Sequence, residues 1–143
     1  PILTKETGRG TPPWSESFAW RLRISPQDHK LQLQCFTATG AGGGNVSSDT
    51  ALEMGRWYHV AGTYDGQNTR VYIDGQLAGS HTASVSEPLV TTNLPTAIGH
   101  LQNWSVQWFK GIIDELKVYD YARSPSQIAA DGAFLIASPE RGD

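Results

Sequence analysis

The amino-acid sequence predicts an all-β fold: a jelly-roll sandwich of two antiparallel sheets with one short helix near the C-terminus. Three observations lead there. Apolar and polar residues alternate over short runs, most clearly in Phe18–Ile24, which is the period of half-buried strands. The turn dipeptides Asp65-Gly66 and Asp74-Gly75 punctuate the middle of the chain at close spacing. Helical periodicity is almost absent, and many short strands with little helix make a sandwich or jelly roll.

The elements follow in order. Residues 2–5 form a short apolar opening, and 8–13 are a breaker-rich loop. In the next strand Phe18, Trp20, Leu22 and Ile24 share one face, while Ala19, Arg21 and Arg23 share the other. Residues 30–36 repeat the pattern, with Leu31, Leu33 and Cys35 against Gln32 and Gln34. Pro26-Gln27-Asp28 supplies the turn between these strands. Residues 38–49, rich in Gly, Ser and Asn, read as a loop. Residues 58–64 and 69–73 form the strongest hairpin, because Gly supplies the positive φ that Asp-Gly turns demand. A strand over 76–81 follows, and 97–99 and 111–119 close the sheets. The helix starts at Ser124-Pro125-Ser126-Gln127, with a hydroxyl at the N-cap, Pro at N1 and Gln at N3. It runs through Ala130 for about two turns. The tail, 139–143, reads as solvated.

Composition bounds the function. A chain of 143 residues is one domain's worth and can bury a core. At 38% hydrophobic and 17% charged it is not a disordered chain, and its 15 glycines suit tight turns. A net charge of −3 argues against a nucleic-acid surface, which needs clustered Lys and Arg. No apolar run approaches the roughly 20 residues of a membrane span. The single cysteine, Cys35, alternates with Leu31 and Leu33 and reads as a buried thiol. The chain begins at Pro1, without Met or a signal pattern, so a processed or truncated piece is expected.

Two segments carry a family resemblance. Trp57, His59, Val60, Ala61, Thr63, Tyr64, Asp65 and Gly66, followed by Tyr72, Asp74 and Gly75, match a hairpin signature. Gly111, Ile113, Asp114, Glu115, Tyr119, Ser124 and Ile128 match a late strand-and-helix signature. In this order and spacing they resemble the laminin-G-like, concanavalin A-like jelly rolls, over residues 2–130. The resemblance implies a sugar-binding or adhesion module, extracellular or at the cell surface. Its relatives open with extra strands that this chain lacks. It therefore implies an uncovered sheet and, with it, a homo-oligomer or docking to a domain of a parent protein.

Candidate binding residues cluster in the loop between Gly99 and Gly111. His100, Gln102, Asn103, Trp104, Gln107 and Trp108 combine flat aromatic faces for the C–H surface of a sugar with amides for its hydroxyls. Of the two tryptophans, Trp104 is expected to be the more exposed, with the other plugging the sandwich end. Trp14 is a second loop aromatic, whereas Trp20 and Trp57 fall on strand patterns and are expected in the core. Asp114 shares strand parity with Ile112, Leu116 and Val118, so its carboxylate must be paired, hydrogen-bonded or metal-bound. The family resemblance implies a structural calcium ion there, and Asp65 and Asp74, as loop carboxylates, are further candidate ligands. The plainer readings are backbone hydrogen bonding for Asp114 and turn chemistry for Asp65 and Asp74.

Catalysis is not expected. Glycosidases need two carboxyls about 5–9 Å apart across a cleft. The adjacent Asp114 and Glu115 point to opposite faces of a strand. His29, His59, His81 and His100 show no metal spacing, and His59 reads as a structural hairpin residue. The sequence thus predicts a non-catalytic carbohydrate-binding module whose partner is a glycan or surface polysaccharide. The alternative is a structural, oligomerising scaffold with no sugar site.

Overall fold

The computed structural model describes residues 1–6, 18–39, 42–100 and 108–136. The alternating runs form strands β1 (Leu3–Glu6), β2 (Phe18–Ile24), β3 (Lys30–Cys35) and β4 (Gly44–Ala51). The Asp-Gly region forms β5 (Val60–Tyr64), β6 (Asn68–Ile73) and β7 (Gln76–Thr82). Then come β8 (Thr96–Ile98) and the helix α1 (Pro125–Ile136). One antiparallel sheet has the order β4-β3-β2-β1-β8, and the second has the order β5-β6-β7. This is the expected two-sheet, mostly β arrangement with one C-terminal helix.

Register explains the core. Trp20 pairs with Cys35, Leu22 with Leu33 and Ile24 with Leu31, which places one apolar face of β2 beside that of β3. Val46 of β4 lies opposite Leu33 and extends the same face. Leu31, Leu33, Cys35 and Val46 pack with Ile2, Leu52 and Val71 into one buried cluster. The second sheet lies over the β3–β4 side of this face. Gly62 of β5 marks the close approach: a Cβ there would come within 3.0 Å of the Leu33 side chain.

Local chemistry sets the turns. Asp74 (φ 50°) and Gly75 (φ 78°) both take the left-handed conformation in a two-residue loop, as a type I′ hairpin requires. At the start of α1, the Ser124 backbone N–H donates to Gln127 Oε1 at 2.9 Å, and the Gln127 N–H donates to Ser124 Oγ at 3.3 Å. That is the reciprocal capping box read from the sequence. The helix continues six residues beyond the expected Ala130, to Ile136.

Three sequence expectations need correction. Part of the expected loop 38–49 is strand β4. Its inward positions include Ser48, which is buried but accepts from the Leu31 N–H at 3.0 Å and donates to the Thr50 carbonyl at 2.6 Å. A satisfied serine costs little inside, so the strand forms without an apolar alternation. Trp57 is not core: it precedes β5 and is 44% exposed. The expected strand over 111–119 does not form. Glu115 has a φ of 51°, and Ile112 and Val118 are 75% and 63% exposed. Among the described residues no strand pairs with this segment, and alternation alone does not make a strand.

Candidate functional site

The loop rich in aromatics and amides is closed at its base. The Gly99 N–H donates to the Ile2 carbonyl at 2.9 Å, and the Phe109 N–H donates to the Gly99 carbonyl at 2.7 Å. Between these bonds His100 and Trp108 form an antiparallel bridge. Their rings stack with centroids 5.3 Å apart and planes 26° apart. Trp108 is 63% exposed, so the pair forms an aromatic platform at the end of β8. The expectation that Trp108 plugs the sandwich does not hold. Gln102, Asn103, Trp104, Gln107 and Trp14 lie outside the described residues.

The acidic candidates separate. Asp65 Oδ1 accepts from the backbone N–H groups of Gln67 (3.1 Å) and Asn68 (2.7 Å), and Oδ2 pairs with Arg70 at 2.8 Å. Burial works to raise its pKa, but the Asn68 backbone bond and the Arg70 bond outweigh it and hold the carboxyl well below the usual range. Oxygens occupied by turn amides and a guanidinium do not fit a calcium ligand. Asp74 Oδ1 accepts from the His59 N–H at 2.9 Å, as turn chemistry predicts. Asp114 is exposed, not buried on an apolar face, because the strand that would have fixed its parity is absent. Its Oδ1 accepts from the Glu115 N–H at 2.8 Å. Among the described residues no three His, Cys, Asp or Glu side chains come together as a metal set.

A feature that the sequence did not reveal is a cleft of about 1210 Å³. Its floor is the inner face of the larger sheet at Leu3, Trp20, Leu22 and Ile24. Its walls are residues 58–64 on one side and 109–123 on the other. Tyr119 and Tyr121 meet edge to face on the second wall at 5.8 Å, and the Arg123 guanidinium lies 4.4 Å from the Tyr119 ring. Arg123 is anchored by Asp131 of α1 at 2.9 Å. The tight spacing of Tyr119, Tyr121 and Arg123 was the available signal, but it reads equally well as a strand.

Two sheets of this order, with the Asp-Gly hairpin and the capped helix in place, agree with one sequence family. The laminin G model of the concanavalin A-like lectin/glucanases superfamily matches residues 4–129. The chain belongs to that superfamily. No curated protein matches this concanavalin A-like domain. Among solved structures it is similar to an S-layer domain-containing protein from Clostridium thermocellum, at 26% identity and a TM-score of 0.45. The match covers 79% of this chain and 55% of that one, so the domain spans about half the length of that structure.

The superfamily's description names both lectins and glucanases, so membership alone does not assign a function. In this concanavalin A-like domain Glu53, Asp114, Glu115, Asp120 and Asp131 line the cleft, and of these Asp131 pairs with Arg123 and Glu115 with Lys117 at 3.9 Å. Cys35 is no nucleophile, since burial pushes its thiol up to about 12, against a smaller opposing effect of Thr69. His59 is half-buried against the Asp74-Gly75 turn and α1, and burial lowers its pKa.

Proposed function

We propose that this domain is a non-catalytic glycan-binding module acting at a cell surface or outside the cell. The observation that carries the reading is the His100–Trp108 stack, which holds an exposed indole at the base of a segment whose sequence is rich in amides. A flat aromatic surface matches the C–H face of a pyranose, and the sequence between the two rings offers Gln102, Asn103 and Gln107 as amide candidates for its hydroxyls. His100 pre-orders the indole, which lowers the entropy lost on binding. Membership of a superfamily described by lectins and glucanases supports the same reading. Among the described residues no helix is long and apolar enough to cross a membrane.

The test is a glycan array on the purified chain, with and without calcium. Binding to a subset of glycans, lost in Trp108→Ala and retained in Trp57→Ala, is the expected result. Binding that appears only with calcium moves the site toward Asp114. Silence under both conditions from a folded sample removes the glycan reading. A second reading, a scaffold that mates with a partner, is favoured by the apolar cleft between residues 58–64 and 109–123.

A further inference from the structure

Helix α1 is seated on the Asp74-Gly75 turn by close backbone approach. A Cβ on Gly75 would come 3.0 Å from the Cα of Ala129, and a Cβ on Gly132 would come 2.9 Å from the backbone nitrogen of Gly75. Ile128, on the same helix, is buried. The His59 imidazole is packed into this contact: the same Gly132 Cβ would stand 3.1 Å from its Nδ1. That nitrogen is buried and has no hydrogen-bond partner. The turn holds the backbone of His59, whose N–H donates to Asp74 Oδ1 at 2.9 Å and whose carbonyl accepts from the Asp74 N–H at 2.7 Å. With its backbone fixed, the ring stays in the contact for as long as the helix does.

The charged groups that act on the ring come from three elements. Asp131 belongs to α1, Asp74 to the turn and Lys117 to the segment after Trp108. Both Asp74 oxygens are occupied, Oδ1 by the His59 N–H and Oδ2 by Arg56 at 3.3 Å, which makes Asp74 a turn residue and not a metal ligand. Asp131 is committed to Arg123 at 2.9 Å, and that guanidinium lies 4.4 Å from the Tyr119 ring. Burial works most strongly against a charge on His59. The carboxylates of Asp131 and Asp74 oppose it without reversing the direction, and Lys117 adds to it, so the docked ring titrates below its ordinary value.

We propose that α1 is an acid-released latch: it docks on the hairpin turn while His59 is neutral and lets go when the imidazole takes a proton. The buried Nδ1 is the reason. A neutral ring can keep its proton on Nε2 and leave only a lone pair against the helix. An imidazolium carries a proton on both nitrogens, and at Nδ1 that donor meets packed backbone and no acceptor. Release brings the ring into water, where it takes its proton at about pH 6.5. The docked state thus binds fewer protons than the released one. Docking is fully favoured above that pH and weakens as pH falls below it, by at most about tenfold per pH unit for one proton, until the docked ring itself titrates. Asp131 leaves with the helix, which frees Arg123 from its anchor beside the cleft.

The experiment is amide hydrogen exchange of the intact chain from about pH 7.5 to about pH 5, corrected for the intrinsic pH dependence of exchange. The parent is compared with His59→Asn, which keeps a polar group near the Nδ1 position and does not titrate. The Ala129, Ala130 and Asp131 amides should be less protected than that of Leu31 at every pH. In the parent their protection should fall ~10-fold or more across this range, and in His59→Asn by less than about twofold. Helix protection that does not change with pH in the parent overturns the proposal. An equal fall in both proteins assigns the effect to another group and also overturns it. Helix protection equal to that of Leu31 means that α1 leaves only with the whole fold, and overturns it as well. Where His59→Asn does not fold, the His59 ring of the parent decides by nuclear magnetic resonance. A titration midpoint below about 6.5 supports the latch, and one at or above that value overturns it.

Discussion

The two halves of the inner face of the larger sheet face different neighbours. Over β3 and β4 the hairpin strands close down, and Leu31 and Val71 are wholly buried. Over β2 and β1 the facing segment is residues 109–123, and there Ile112 and Val118 stand largely in solvent. Both covering segments alternate apolar and polar residues, so composition does not separate them. The difference is a backbone neighbour. Residues 60–64 have β6 three residues away in register, with Asp65 bonds fixing the bend. Residues 110–121 form no ladder with any described strand. Side-chain pattern decides which face a strand would bury, and hydrogen-bond partners decide whether it forms.

Substitutions can sharpen this comparison. On the covered side, Leu31→Ala is expected to cost about 2–5 kcal/mol, because a fully buried leucine leaves a cavity that the surroundings only partly fill. On the open side, Val118→Ala is expected to stay within about 0.5 kcal/mol. Urea denaturation of both variants measures the contrast, and equal costs would break it. Ser124→Ala removes one arm of the capping box and is expected to cost about 0.5–2 kcal/mol, read by helical ellipticity and denaturation midpoint.

The smallest effect depends on pH. The folded carboxyl of Asp65 titrates below its unfolded value of about 4, so its stabilisation is present above that pH. It is lost as pH falls through the folded value. Denaturation midpoints recorded from about pH 5 down to about pH 2 should fall less steeply in Asp65→Asn than in the parent. An unchanged slope would remove Asp65 from the account of the hairpin.

Much of the fold was legible because its signals are local. Asp74-Gly75 demands its turn geometry wherever it lies, and Ser124 with Gln127 closes a cap within one turn. Phe18–Ile24 shows its buried face by period alone. What escaped depends on distant partners. Ser48 is buried because the Leu31 N–H arrives from the neighbouring strand, and no pattern within β4 announces that. Asp114 was read as buried because strand parity was assumed, and parity has no meaning where no strand forms. The candidate site was half legible. His100 and Trp108 stood out as aromatics of one loop, but their stacking depends on the bridge that joins them across seven residues.

Hydrogen exchange on the unliganded chain tests the central claim most directly, that one half of the inner face is closed and the other open. The amides of Leu31, Leu33 and Val71 should exchange only through global unfolding, while those of residues 110–121 exchange near the rate of an unstructured chain. Protection of residues 110–121 equal to that of β3 and β6 would contradict the account. It would mean that these residues are paired in solution and that the cleft is closed.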